Sequence, residues 1–148
     1  MSREDTATSP ESRSETAAPE VSLAVRPPLS DEELNALFAA AWPQHAPTRF
    51  GPVLARSLAW IAARDAAGRL VGYVNVAGDG GLHAFVLDTT VHPEAQRRGL
   101  GRSLVRAAAQ EARARGAQWL HVDYEAEWEP FYASCGFRDT AAGLMALA

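Results

Sequence analysis

The sequence predicts an α/β or α+β domain in which helices cover both faces of a sheet. In the first part of the chain strand patterns outnumber helix patterns, and in the second part strands and helices alternate. Apolar residues form 47% of the 148 residues, which is enough for one hydrophobic core. A chain of this length favours a single folded domain.

The composition of the chain argues against several classes of protein. Its net charge of −4 argues against general binding to nucleic acids or to membrane surfaces. The single cysteine, Cys135, allows no intrachain disulfide bond, and no apolar run approaches the ~18 residues of a membrane span. Because the N-terminus lacks the apolar core of a secretory signal, we expect a cytoplasmic protein.

Residues 1–20 differ in composition from the rest of the chain. They are rich in serine, threonine, glutamate, alanine and proline and contain no aromatic residue. Such a segment buries too little apolar surface to offset the entropy lost on ordering. The sequence therefore predicts a disordered N-terminal tail over residues 1–20 and a single domain over residues 21–148.

The first half of this domain reads as short strands and two helices. Residues 21–27 form a strand pattern closed by two prolines, and Ser30 with Glu33 forms a capping box that starts a helix. The apolar face of that helix contains Leu34, Leu37 and Phe38. Residues 53–58 predict a second, short helix, residues 58–77 a hairpin, and residues 82–91 a further strand.

The second half is predicted to alternate helix and strand. A helix is expected over residues 100–115, followed by Gly116 at the position after the helix end where glycine is favoured. Residues 118–124 predict a strand, and residues 128–135 a short helix ended by Gly136. The last residues, 137–148, are expected to form a final strand or pair of strands.

The stretch "VHPEAQRRGLGRSLV", residues 91–105, joins a predicted strand to the long helix. The first turn of a helix has backbone N–H groups without partners and a partial positive charge. Gly99 and Gly101 let a ligand approach this backbone, and Arg97, Arg98 and Arg102 add full positive charges. These features favour a pyrophosphate site; the alternative is a solvated, arginine-rich turn.

Two common phosphate motifs do not fit this stretch. A P-loop requires lysine, and all 14 basic residues of the chain are arginine. A dinucleotide-binding fingerprint requires a third glycine, and that position is Leu104.

The segment "VHPEAQRRGLG" resembles the Gln/Arg-x-x-Gly-x-Gly/Ala motif of the GNAT superfamily of N-acetyltransferases. The later segment "WLHVDYEAEWEPFYASCGF" is similar to the strand and short helix that follow in that family. The resemblance covers residues 58–148 well and earlier residues only in element order. It implies a GNAT-like fold, with a mixed, mostly antiparallel sheet whose two central parallel strands, residues 82–91 and 118–124, splay apart.

The resemblance also implies that acetyl-CoA lies in the gap between these strands. Its pyrophosphate would meet the backbone N–H groups of residues 97–102, with Gln96 at the first motif position, and its pantetheine would pair with the preceding strand. The implied cofactor-binding residues are Thr89, Val91, Gln96, Arg97, Arg98, Gly99, Leu100, Gly101, Arg102 and Ser103.

The implied reaction is direct transfer of an acetyl group to a primary amine of a small molecule or peptide. Tyr132 aligns with the family's acid, which protonates the leaving thiolate; alternatively, Tyr132 only packs beside its neighbours. The base is left open, because Phe85 and Leu87 stand where the family often has Glu or His. Glu125 and His83 are the two candidates retained, whereas Asp88 is near in sequence but is expected to point to the other face of the strand. A chain of water molecules, or an amine that arrives already neutral, is an alternative.

Other features of the sequence leave further alternatives open. The four histidines lack the spacing of metal ligands, so no metal site is predicted, and His121 is expected to be structural. The acceptor is expected to contact the early helices and their loop, through Trp42, His45, Arg49, Phe50 and Arg56. A catalytically silent CoA-binding sensor is the alternative function, and a homodimer is one alternative for the oligomeric state.

Overall fold

The computed structural model describes residues 20–148, so the predicted tail, apart from Glu20, lies outside the described residues. Two 3₁₀ turns, Pro93–Ala95 and Ala126–Trp128, precede α3 and α4. Among residues 20–148, no helix combines the length and the apolar composition needed to cross a membrane. The helices and strands are β1 (Ser22–Val25), α1 (Asp31–Ala41), α2 (Gly51–Arg56), β2 (Ala59–Arg64), β3 (Leu70–Gly78), β4 (His83–Val91), α3 (Leu100–Ala114), β5 (Trp119–Val122) and α4 (Glu129–Ser134).

The five strands form one mixed sheet in the order β1-β2-β3-β4-β5. All neighbours are antiparallel except β4 and β5, which run parallel. The parallel pairing extends only from His83 opposite Trp119 to Val86 opposite Val122. Residues 87–91 of β4 have no strand beside them on this side within the described residues, because β5 ends at Val122, and this leaves an opening beside the end of β4.

Helices cover both faces of the sheet, which confirms the predicted fold class. One face packs against α3, and its buried core includes Ile61, Val74 and Leu104. The other face packs against α1, through Leu34, Phe38 and Tyr73. The sheet is therefore the middle layer, and the gap between β4 and β5 opens at one end of it.

Local signals in the sequence placed the two main helices correctly. Ser30 caps α1, accepting a hydrogen bond from the Glu33 N–H at 3.1 Å, while Glu33 accepts one from the Ser30 N–H at 3.1 Å. Gly116, just beyond α3, has a φ of +95°. The apolar face predicted for α3 is buried in full: Leu100, Leu104, Val105, Ala108 and Ala112.

The prediction of a final strand was wrong. Residues 137–148 form neither a strand nor a helix. Leu144, Met145 and Leu147 are 79–91% exposed. The segment is rich in alanine and has few of the β-branched and aromatic residues that favour strands, so no alternating face exists to pack on the sheet.

The backbone of β3 lies unusually close to α3 at Gly72. A Cβ atom at this position would be 3.0 Å from Leu104 Cδ1 and 3.1 Å from Ala63 Cβ. Glycine is therefore required for the close contact between β3 and α3, which sets the position of the start of α3.

Candidate functional site

The candidate site lies where β4 and β5 separate, next to the start of α3. The turn before α3 has two residues in the left-handed region, Arg97 with a φ of +63° and Gly99 with a φ of +78°. Gly99 is the N-cap residue, and it provides no side-chain cap. Since the first intrahelical bond is donated by Ser103 to the Gly99 carbonyl at 3.0 Å, the N–H groups of Leu100 and Gly101 are left without helical partners.

The charges around this turn are positive and accessible. Arg97, Arg98 and Arg102 are all exposed. None of the three forms an ion pair with another residue in the range 20–148. The uncapped helix start and these guanidinium groups together supply the partial and full positive charges that favour an anion.

The end of β4 is tied to this turn by Gln96. The Gln96 amide donates a hydrogen bond to the Val91 carbonyl at 3.1 Å, so this side chain fixes the angle between strand and turn. Two residues earlier, the Thr89 hydroxyl is buried and has no hydrogen-bond partner among the described residues. An unpaired buried hydroxyl is unusual in a folded protein, and the polar group near this one is the Tyr132 phenol.

Tyr132 of α4 faces the same region and is held by three aromatic rings. Tyr124 stacks on it with ring centroids 4.8 Å apart, and Phe131 and Phe137 contact it edge-on. Tyr124 is itself fixed, because its hydroxyl donates to Asp139 at 2.9 Å. The sequence pattern did not identify Tyr124 as part of this site, because its ring reaches Tyr132 of α4 only through the turn that follows β5.

Burial raises the pKa of the Tyr132 phenol above its ordinary value. The nearby Thr89 side chain opposes this shift, although its oxygen lacks the geometry of a hydrogen bond to Tyr132. The phenol is therefore protonated throughout the neutral pH range, which is the form required of a proton donor.

A direct contact joins the turn before α3 to α4. A Cβ atom on Gly101 would lie 3.3 Å from Cζ of Phe131. Gly101 thus has a packing role, in which Phe131 rests on the first turn of α3, in addition to the ligand approach expected from the sequence. The position of Tyr132 depends on this contact.

His83, Phe85 and Leu87 share one exposed face of β4, as their spacing predicted. His83 does not stand alone there: its Nδ1 is 2.8 Å from Nε2 of His121 on β5. The His121 ring also stacks on Phe85, with centroids 4.6 Å apart. His121, which was expected to be structural, is exposed on this face and hydrogen-bonded to a candidate base.

Two carboxylates were also considered as bases, those of Glu125 and Asp88, and neither belongs to this histidine pair. Glu125 is exposed at the start of the second 3₁₀ turn and makes no side-chain hydrogen bond or ion pair within residues 20–148. Asp88 lies at a bulge and has a φ of +57°. Alternation along the strand predicted that Asp88 points away from the face of His83, and the bulge interrupts that alternation at Asp88. Burial raises the pKa of Tyr73 on β3, and the Asp88 carboxylate adds to this effect. Asp88 is exposed as a residue, yet partial loss of hydration raises the pKa of its carboxyl.

Only part of the predicted acceptor segment is available to a ligand. Trp42 is 45% exposed, and its indole N–H donates to the Thr90 hydroxyl on β4 at 3.3 Å. Phe50 is only 5% exposed and belongs to the core under α1, so it does not line a site. His45 bonds the Asn35 amide oxygen at 2.7 Å.

The remaining acceptor candidates are the exposed Arg49 and Arg56, and Arg56 donates to the Pro52 carbonyl at 3.2 Å.

Comparison with known proteins places this geometry in a family. Residues 55–139 match the family described as acetyltransferase (GNAT) domain. The chain is 32% identical over 108 residues to serotonin N-acetyltransferase 2, chloroplastic, of Oryza sativa subsp. japonica, an alignment that covers 70% of this chain and 54% of that protein. The chain spans about half or less of the length of the curated relatives it matches.

Solved structures share the fold. A GNAT-family acetyltransferase of Streptococcus pneumoniae is 24% identical with a TM-score of 0.74, covering 87% of this chain and 98% of that one. A GNAT-family N-acetyltransferase of Escherichia coli, solved in complex with CoA, is 19% identical with a TM-score of 0.70, covering 82% and 70%. Since the family match spans more than half of its residues and includes both the parallel strands and the turn before α3, the chain belongs to the GNAT acetyltransferase family.

Proposed function

We propose that this protein transfers an acetyl group from acetyl-CoA directly to a primary amine of a small molecule or peptide. The observation that carries the proposal is the position of the gap between β4 and β5. It opens between an uncapped, positively charged helix start and a half-buried, protonated tyrosine. These are the two groups that an acyl transfer from a phosphorylated thioester requires.

Residues of the turn fit the phosphate end of acetyl-CoA. The N–H groups of residues 97–102 would hold the pyrophosphate, and the exposed guanidinium groups would neutralise its charge. The backbone at Thr89 and Val91 would pair with the pantetheine in the way that an added strand does.

Tyr132 would act at the other end of the gap. The thioester supplies an activated acetyl group, and its displacement leaves a thiolate that gains from protonation. Tyr132 is protonated at neutral pH and held rigidly by Tyr124 and Phe137, so it would deliver its proton to the sulfur.

An amine acceptor is supported by one relative and by the surface near α1. The curated relative from rice is named a serotonin N-acetyltransferase. A cavity of ≈ 380 Å³ is lined by Trp42, Pro43, Gln44 and His45, and Trp42 also contacts β4 through Thr90. An acceptor with an apolar body would pack there, with its amine towards the gap.

Reversing the charge of Arg102 should weaken acetyl-CoA binding. In Arg102→Glu a carboxylate replaces a guanidinium in the first turn of α3, a place where an acid suits the helix dipole, so the fold should persist. Repulsion of the phosphates should raise the Kd by at least about tenfold, or ~1.4 kcal/mol, by calorimetry. Arg113→Glu makes the same charge change in the last turn of α3 and should leave the Kd within about twofold. Equal affinity in both variants and wild type would contradict the assignment of this turn.

The function itself is tested by thiol release from acetyl-CoA in the presence of a panel of primary amines, with mass spectrometry of the products. We expect amine-dependent release and an acetylated amine. Tight acetyl-CoA binding without transfer to any amine would overturn the proposal in favour of a CoA-binding sensor.

A further inference from the structure

We infer that His121 of β5 is the general base for the acceptor amine, with His83 as the residue that positions it and passes its proton to solvent. This inference rests on the proposed function and assigns a residue that the sequence pattern treated as structural. The base would thus lie on β5, beside the β4 positions that are apolar in this chain, Phe85 and Leu87.

The first argument is position. His121 pairs with Phe85, one residue before the last paired row, Val86 with Val122, so it lies within about 3.3 Å along the strand of the point where the gap begins. Its ring is on the face opposite to α3, because Ala84 and Val86 point towards α3 and are buried there. That face is the one on which Trp42 contacts β4, where the acceptor would pack.

The second argument is orientation. Stacking on Phe85, with centroids 4.6 Å apart, and the 2.8 Å bond to His83 restrict the His121 ring from two sides. When His121 Nε2 donates to His83 Nδ1, the Nδ1 atom of His121 carries a lone pair and His83 carries its hydrogen on Nε2. His121 is then prepared to accept a proton, and His83 is prepared to lose one.

The third argument concerns Asp79, a carboxylate next to His83. Asp79 accepts a hydrogen bond from the backbone N–H of His83 at 3.2 Å. The pKa of Asp79 is lowered mainly by the N–H of Gly81, and the His83 imidazole adds to this effect. The Asp79 carboxylate thus holds the backbone at the start of β4, which helps to fix the place of His83.

The transfer step balances as follows. The amine nitrogen forms a bond to the acetyl carbon while the carbon–sulfur bond breaks. The proton from nitrogen moves to His121 Nδ1, the Nε2 proton of His121 moves to His83 Nδ1, and the Nε2 proton of His83 passes to solvent. Proton exchange of both rings with solvent then restores the starting tautomers. Tyr132 gives its proton to the sulfur and regains one from solvent, so the products are an amide and a free thiol.

The activity test uses His121→Ala in the full chain. We expect kcat/KM for the amine to fall by about 10²-fold or more, the usual contribution of a general base, with the KM for acetyl-CoA within about twofold. Because the side chain is exposed, added imidazole should occupy the space left and restore part of the rate. His83→Gln should lower the rate less, and the double variant should be no slower than His121→Ala alone.

A second test needs no cofactor. Nitrogen-15 NMR of the imidazoles in the free protein should show one fixed tautomer for His121 in wild type and a tautomer mixture in His83→Gln. A mixture in wild type would overturn the assignment of His83 as the positioning residue.

The outcomes separate this inference from the proposed function. If wild type acetylates an amine and His121→Ala does so within about threefold, with or without imidazole, the base is not His121. A loss confined to Asp88→Asn would also overturn the inference and assign the base to Asp88. If wild type acetylates no amine, the proposed function fails first and the inference fails with it. Glu111→Gln removes a carboxylate from the opposite side of the sheet and should match wild type.

Discussion

Replacement of Tyr132 by phenylalanine is expected to lower the kcat of acetyl transfer by ~10²–10⁴-fold. The variant keeps the ring and its contacts with Tyr124 and Phe137 but loses the proton that the thiolate would receive. Because the proton is given only as the thiolate leaves, kcat should fall more than the affinity for acetyl-CoA. The measurement is steady-state kinetics with the best acceptor from the amine panel.

The matched control for this prediction is Tyr124→Phe. That variant removes a phenol that bonds Asp139 and keeps the stacked ring, so kcat should stay within about twofold of wild type. Acetyl donors with more acidic thiols should suffer less from Tyr132→Phe, since their thiolates need less protonation. Turnover by Tyr132→Phe within about twofold of wild type would reduce Tyr132 to a packing residue.

The largest expected effect on stability is that of Gly72→Val. Its Cβ would lie 3.0 Å from Leu104 Cδ1 and 3.4 Å from Leu100 Cδ2, both on α3. Excess volume in a packed core typically costs 1–3 kcal/mol, so we expect a free energy of unfolding lower by about 2–3 kcal/mol. Thermal denaturation should show a fall in Tm of roughly 5–10 °C.

Two further variants make this prediction specific. Gly143→Val adds the same side chain where nothing lies within 4 Å of the new Cβ, and it should leave the Tm unchanged. Combining Gly72→Val with Leu104→Val removes a methylene from the crowded contact and should recover part of the lost stability. A Gly72→Val protein as stable as Gly143→Val would show that α3 can move away from β3 without loss.

Signals confined to neighbouring residues were sufficient to predict much of this fold. The capping box of Ser30 and Glu33 and the glycine after α3 each act within one helical turn, so the sequence pattern alone located both helix ends. The buried face of α3 followed from its 3.6-residue period. The parallel pair and the identity of the turn before α3 came from the family motif rather than from the periodicity of the chain.

The features that the sequence did not reveal depend on contacts between distant segments. His83 and His121 are 38 residues apart and meet only because β4 and β5 pair in parallel. The alternation rule cannot be applied through Asp88, because at a bulge there two residues of β4 lie opposite one residue of β3. Phe50, which appears in the sequence as a loop aromatic, becomes a core residue because α1 and β3 close over it.

The contact between Gly101 and Phe131 has a mechanical consequence. Through this contact, the start of α3, which would meet the phosphates, packs directly against α4, the short helix that carries Tyr132. A side chain added at Gly101 would press on Phe131, the residue before Tyr132. Under the proposed function, nucleotide binding and the orientation of the Tyr132 phenol therefore depend on the same contact. A substitution made there to alter one of them should also alter the other.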